Sequence, residues 1–258
     1  MTALDGRRGS ALLAIDTATS RVVVALGSAP DVDGHHRTGP PSAQASWVAG
    51  QRHGETLLPA IDRLLGESNI RRSDLAGIVV GTGPGTFTGL RVGLATAKGM
   101  AHGLGIPIVG ISTGAALLAG SVQQTPRRGA PGDAARGEGA PGEAAAAPDL
   151  ALVMPAGPQD RVLVHDGVAR LLPAGTEPEL SPGTALVAVD LDGRAPADAL
   201  ARGDAALAGL GAALLRLGGA RLAATGGDDL ARLVPEYVTL PRGVRTEAGE
   251  VTWSRDRR

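Results

Sequence analysis

The sequence predicts an α/β fold in two lobes, each a mixed sheet flanked by helices. Three observations predict it. Two short apolar runs near the start, ALLAIDT (11–17) and VVVALGS (22–28), flank a tight polar turn, which is the pattern of a β-hairpin. Strand-like runs then alternate with segments of helical periodicity as far as residue 122. A low-complexity stretch follows, and beyond it a second set of short strand-like runs begins.

Residues 29–43 are rich in Pro, Gly, Asp and His and read as a loop, with a third strand beginning near Trp47. Leu57, Leu58, Ile61, Leu64 and Leu65 recur at helical spacing, which predicts a helix over Glu55 to Leu65 stopped by Gly66. Pro59 removes one backbone donor from it and is tolerable this close to the helix start. Residues 75–80 (LAGIVV) form a strand, 81–89 a glycine-rich loop, and Leu90 to His102 a second helix. IPIVGIS (106–112) is the next strand, and Thr113 to Val122 a third helix.

Residues 123–148 contain Gly, Ala, Pro and mixed charges that cannot bury enough apolar surface to offset ordering entropy. They read as a flexible insertion between an N-terminal lobe (1–122) and a reduced C-terminal lobe (149–240). In the second lobe LALVM, RVLVH, ARLL and ALVAVD are short strands. Asp204 to Leu217 reads as a helix, Asp228 to Val234 as a short one, and 241–258 as a loosely ordered tail.

Composition narrows the function classes. Of 258 residues 43% are hydrophobic, yet only two Trp, one Tyr and one Phe are aromatic, so Ala, Leu, Val and Gly must build thin, closely packed core layers. The absence of cysteine excludes disulfides, thiolate zinc sites and a cysteine nucleophile. A net charge of −1 gives no overall basic surplus for gripping RNA. The first residues, MTALDGRRGSALLAID, lack the apolar core of a signal peptide, and no stretch reads as a membrane span. The expectation is a soluble, cytoplasmic protein.

The most informative segment is GIVVGTGPGTFTGLRVGLATAKGMAHGLGIP (77–107). A strand leads into Gly81, Gly83, Gly85 and Gly89 and then a helix, an arrangement that can present backbone N–H groups to an anion. The spacing matches neither the dinucleotide fingerprint nor the P-loop. Two readings stand: an anion loop, and a tight turn that lets helices pack closely. Gly93, Ala97 and Ala101 repeat every four residues on the following helix and permit close approach of another helix. Leu90, Leu94 and Ala101 point one way; Val92, Thr96 and Gly99 point another.

GTGPGTFTGLRVGLATAKG, with AIDTATSRVVVAL and RHGETLLPAIDRLL, resembles the TsaB family over about residues 11–122. These are the smaller paralogues of the bacterial tRNA threonylcarbamoyltransferase, TsaD, once grouped with glycoprotease-like proteins. The resemblance implies an actin-like (ASKHA, ribonuclease H-like) fold. It also implies a non-catalytic scaffold subunit. The modification itself, transfer of threonylcarbamoyl to N6 of the adenosine 3′ of the anticodon, would be carried by a zinc- or iron-binding paralogue. The implied partners are TsaD, the small ATPase subunit TsaE through the complex, and a second copy of the chain as the alternative. tRNA would be contacted indirectly if at all, and no membrane is involved.

The resemblance assigns partner binding to the two helices: His53, Leu57, Ala60, Ile61 and Leu64 on the first, and Gly93, Leu94, Ala97, Lys98 and Ala101 on the second. The resemblance puts Asp16 where the superfamily places its first phosphate-loop Asp, the alternative being a turn residue that caps the hairpin; with Gly83, Gly85 and Thr86 it makes a candidate vestigial nucleotide or anion loop. Thr113 and Leu117 occupy the positions of the catalytic paralogue's two metal histidines, and neither replaces an imidazole. The second phosphate hairpin is missing from LALVMPAGPQDRVLVHDG, and Pro155, Ala156 and Gly157 replace the family's usual Asp-Ala-Arg. No catalytic residue, metal or cofactor is therefore expected. The rival readings are a nucleotide-dependent kinase or hydrolase of the same fold, and a glycoprotease-like peptidase.

Overall fold

Residues 11–28 fold as the hairpin that their pattern requires. Strands β1 (Ala11–Asp16) and β2 (Arg21–Ser28) pair antiparallel. Strand β1 is buried along its whole length because it is the middle strand of a five-stranded sheet, which explains its unbroken apolar run. β3 (Ala43–Val48) adds to β2 as an edge strand, with its alternate residues half-covered. It ends near Trp47 rather than beginning there.

Helix α1 (His53–Glu67) then leads into β4 (Leu75–Gly81), which lies parallel to β1. Helix α2 (Phe87–Leu104) crosses to β5 (Ile108–Ile111), parallel to β4. Gly105, at φ 64°, closes α2 with its N–H on the carbonyls of Ala101 and His102. The sheet order is β3-β2-β1-β4-β5. Side chains alternate across it: Leu13, Ile15, Val24 and Ile78 meet α1 and α2, while Leu12, Ala14, Val23 and Val79 face the opposite layer.

That opposite layer is α4 (Ala197–Thr225), which with α3 (Thr113–Gln123) lies between the first sheet and a second one. The second sheet holds β6 (Leu150–Pro155), β7 (Arg161–His165), β8 (Val168–Leu172) and β9 (Ala185–Ala188) in the order β8-β7-β6-β9. Only glycine fits where α3 and α4 cross, since a Cβ on Gly209 would stand 2.6 Å from the Gly120 carbonyl oxygen. Residues of both sheets and both helices share one continuous core. The computed structural model describes residues 9–30, 39–48, 50, 53–123, 148–157, 159–238, 244–247 and 250–253. The proposed insertion lies, except for its two end residues, outside the described residues.

Four sequence expectations change. The helix predicted at Asp204–Leu217 is 29 residues long and spans both sheets. It is also the one helix among the described residues long and apolar enough to cross a bilayer; here it is a core helix packed between sheets. Asp228 to Val234 is not helical. It runs as a strap along the first sheet, where the Asp228 N–H donates to the Ile108 carbonyl (2.7 Å) and Leu233 enters the core beneath α2. Tertiary contacts to the open edge of β5 outweigh its weak helical pattern. The 149–240 segment is thus divided between the second sheet and the first. Finally, the tail contains an antiparallel ribbon, β10 (Val244–Glu247) and β11 (Glu250–Trp253).

Candidate functional site: the glycine loop and the α1–α2 face

The glycine loop is filled by the chain's own atoms. Asp16, at the end of β1, is fully buried (0% exposed). Its Oδ1 accepts from the Ala18 N–H (2.9 Å) and its Oδ2 from the Thr113 hydroxyl (2.7 Å), which itself accepts from the Gly83 N–H (3.1 Å). The Gly83 carbonyl accepts from the Thr113 N–H (2.6 Å) and the Ser112 hydroxyl (3.1 Å). A Cβ on Gly81 would stand 1.8 Å from Asp16 Oδ2, one on Gly85 2.3 Å from the Ala18 carbonyl oxygen, and one on Gly89 2.0 Å from that of Thr17. The glycines let the β1–β2 turn press against the loop. Thr86 caps nothing with its side chain and stands exposed at the start of α2; its N–H donates to the Ala18 carbonyl (2.7 Å).

Burial pushes the Asp16 carboxyl up to about 6, against the opposing pull of the Ala18 N–H and the Thr113 hydroxyl. The folded pKa exceeds the unfolded value of 3.8, so the folded state binds the extra proton. The associated stability is complete below pH 3.8 and is lost as pH rises through about 6, a difference on the order of 3 kcal/mol. Asp16→Asn is expected to remove that slope between pH 4 and 7 in urea titrations of both proteins. Parallel stability curves would contradict the assignment. Partial burial likewise raises the Glu236 carboxyl.

The two helices meet the sheet with most of the residues expected at a partner surface. Leu57, Ile61, Leu64, Leu94, Ala97 and Ala101 lie in the lobe's own core, and Ala97 is 0% exposed. Gly93 is buried against Thr17, whose Oγ1 would stand 2.2 Å from a Cβ there. These positions are therefore already covered within one chain, and the expectation that they offer a free contact surface is corrected. Ala60 and Lys98 are half-buried, and the Lys98 ammonium donates to the Leu233 carbonyl (3.1 Å). Of His53 only its place at the start of α1 is described.

The outward face carries a different set. Along α2 it presents Arg91, Ala95, Gly99 and Gly103, spaced by four, and along α1 Leu58, 48% exposed, with Pro59 and Asp62. A Cβ on Gly99 or Gly103 would meet no atom within 4 Å. Arg91, Phe87 and Tyr237 gather at the N-terminal end of this face, a grouping the sequence did not signal because Tyr237 arrives on the strap. Elsewhere, Asp149, His165 and Asp166 cluster at the second sheet, with the two His165 ring nitrogens 2.9 Å and 3.7 Å from different carboxylates. The ring lies between the two acids, with Nε2 within hydrogen-bond distance of Asp149.

This architecture defines an actin-like α/β protein whose β1–β2 turn is packed against its glycine loop. The sequence model for tRNA N6-adenosine threonylcarbamoyltransferase (TsaD) matches residues 47–224, more than half the chain, and the chain belongs to that family. It is similar to the tRNA threonylcarbamoyladenosine biosynthesis protein TsaB of Escherichia coli, 35% identical over 102 residues, which cover 40% of this chain and 40% of that protein. It is 40% identical to a tRNA N6-adenosine threonylcarbamoyltransferase of Geotalea uraniireducens over 65 residues, 25% of this chain and 19% of that one. The chain thus spans well under half the length of these curated relatives. YeaZ from Pseudomonas aeruginosa shares the fold, with a TM-score of 0.59 at 23% identity over 88% of this chain and 99% of that one. The TsaB resemblance and the actin-like fold class read from the sequence are borne out.

Proposed function

We propose that this chain is a non-catalytic, TsaB-type subunit of the tRNA threonylcarbamoyladenosine machinery that acts by pairing with a catalytic TsaD-type chain. The observation that carries the reading is the contrast between the two ends of α2. At its N-terminus the glycine loop is packed solid with Asp16–Ala18. Along its outer face Ala95, Gly99 and Gly103 are exposed, a Cβ on either glycine would meet no other element within 4 Å, and Leu58 is exposed on α1. A closed pocket suits a scaffold, and a helix pair with an open, small-residue face suits helix-on-helix packing. The residues proposed for contact are accordingly Leu58, Ala95, Gly99 and Gly103, with the buried partner-binding set beneath holding the helices in place. Self-pairing would use the same face in the absence of the catalytic chain. TsaE and tRNA would be reached through that chain, and a cytoplasmic setting goes with the role.

Mixing the purified chain with a TsaD-type catalytic protein in nuclease-treated buffer tests this by sedimentation velocity. A stoichiometric complex is expected, and the isolated chain is expected to hydrolyse ATP no faster than buffer. Asp16 at the first turn is what favours the rival nucleotide-dependent enzyme. An ATPase rate abolished by Asp16→Ala would establish that rival instead.

A further inference from the structure

The N-terminal end of the outward α2 face is not a bare helix surface. Two of the chain's four aromatic residues meet there. The Phe87 and Tyr237 rings stand 5.3 Å apart, and the Arg91 guanidinium lies 3.7 Å from the Phe87 ring centroid. Arg91 Nε donates to the Tyr237 hydroxyl at 2.9 Å. The ring contact and the Nε bond together fix the plane of a side chain that otherwise loses much rotamer freedom on binding. Its Nη groups remain: among the described residues no carboxylate pairs with them. Arg91 is exposed, and Ala95, Gly99 and Gly103 continue its row along the helix.

Tyr237 is brought to this place by the strap. The Glu236 N–H donates to the Thr82 carbonyl (2.7 Å), and Leu233 is anchored in the core with its carbonyl accepting from Lys98. Val234 (62% exposed) and Tyr237 (37% exposed) leave apolar surface on the strap, and the Tyr237 ring lies beside the guanidinium. An oriented cation whose Nη–Nη edge is left for a partner, set against aromatic surface, is the composition of an interface anchor rather than of a solvated charge.

We propose that Arg91 is a pre-formed receptor for an Asp or Glu carboxylate on the catalytic partner, held in position by Phe87 and by Tyr237 of the C-terminal strap. This rests on the pairing reading above and adds to it the chemistry of the partner and a contribution from residues 228–238. The fixed guanidinium plane matches a carboxylate through two parallel N–H···O bonds, and the small residues that follow admit the backbone of the helix that carries it.

The test measures affinity for a TsaD-type catalytic protein, free of RNA, at two salt concentrations. Arg91→Ala is expected to weaken association roughly a hundredfold, and Arg91→Lys to recover only part of it because a point charge lacks the fork. Tyr237→Phe, which keeps the ring and loses the hydroxyl, is expected to cost roughly tenfold. Wild-type affinity should fall with salt, and Arg91→Ala should show a smaller fall. Melting curves should match in all four proteins, since none of the changes touches the core. If the wild type pairs and Arg91→Ala pairs equally well, this proposal is overturned while the pairing reading stands. If the wild type does not pair at all, both fall. If Arg91→Ala leaves protein affinity unchanged but abolishes tRNA binding by the chain, the anion is an RNA phosphate and the carboxylate assignment is wrong.

Discussion

Ala97→Glu is expected to unfold the N-terminal lobe rather than merely to block association. Ala97 is fully buried and shares its cluster with Leu57, Ile61, Leu94 and Ile108. A carboxylate there has no partner to offset its desolvation, and the helix lies too close to the sheet to admit the longer side chain. The cost is about 3–5 kcal/mol, against a typical domain stability of about 5–15 kcal/mol. Urea denaturation followed by circular dichroism should show a large drop in the midpoint or no folded baseline. A variant that unfolds at the wild-type midpoint would show that Ala97 is accessible in solution.

Gly99→Glu should do the opposite. No atom lies within 4 Å of a Cβ at Gly99, so the monomer has room for the side chain. Replacing glycine within a helix favours folding by up to about 1 kcal/mol. In a close helix contact the same side chain places an unpaired charge and several heavy atoms where a partner backbone would lie. That should weaken pairing by about 3 kcal/mol or more, at least two decades in affinity. Sedimentation velocity with the catalytic chain reads the loss, and a melting temperature equal to or above wild type shows that folding is intact. Native affinity in a folded Gly99→Glu protein would move the interface away from α2.

The pairing of these two substitutions shows where sequence reading ran out. Helix α2 contains two rows of small residues with the same spacing: Gly93, Ala97, Ala101 and Ala95, Gly99, Gly103. Spacing establishes that either row can admit a close neighbour, but not which neighbour. The choice depends on Thr17, 76 positions before Gly93, pressing on that glycine from the β1–β2 turn. The first row is thereby spent on the chain's own core, and the row left outside is the one with Gly99.

The sheets were more legible because their signals are local. ALLAIDT reads as one arm of a hairpin and is β1, and the short runs of the second lobe coincide with β6, β7, β8 and β9. The length of α4 was hidden by its glycines at 203, 209, 211, 218 and 219, which weaken a helical pattern locally. In the folded chain Gly203, Gly209, Gly211 and Gly218 are the positions where β9, α3, β2 with β3, and β4 approach most closely. The strap has a local helical pattern but an extended course, because the Asp228 and Glu236 N–H groups are held by carbonyls of Ile108 and Thr82, more than a hundred residues earlier. Arg91 was passed over because an isolated arginine on a helix carries no signal until Phe87 and Tyr237 are seen around it.

The central claim is that this chain supports tRNA modification through the outer face of α2. It is tested most directly by quantifying threonylcarbamoyladenosine in bulk tRNA by mass spectrometry. The cells are depleted of the native chain and supplied with either wild type or Gly99→Glu at equal abundance. The account predicts that depletion lowers the modified nucleoside, that wild type restores it, and that folded Gly99→Glu does not. Full modification in depleted cells, or equal rescue by both proteins, would contradict it.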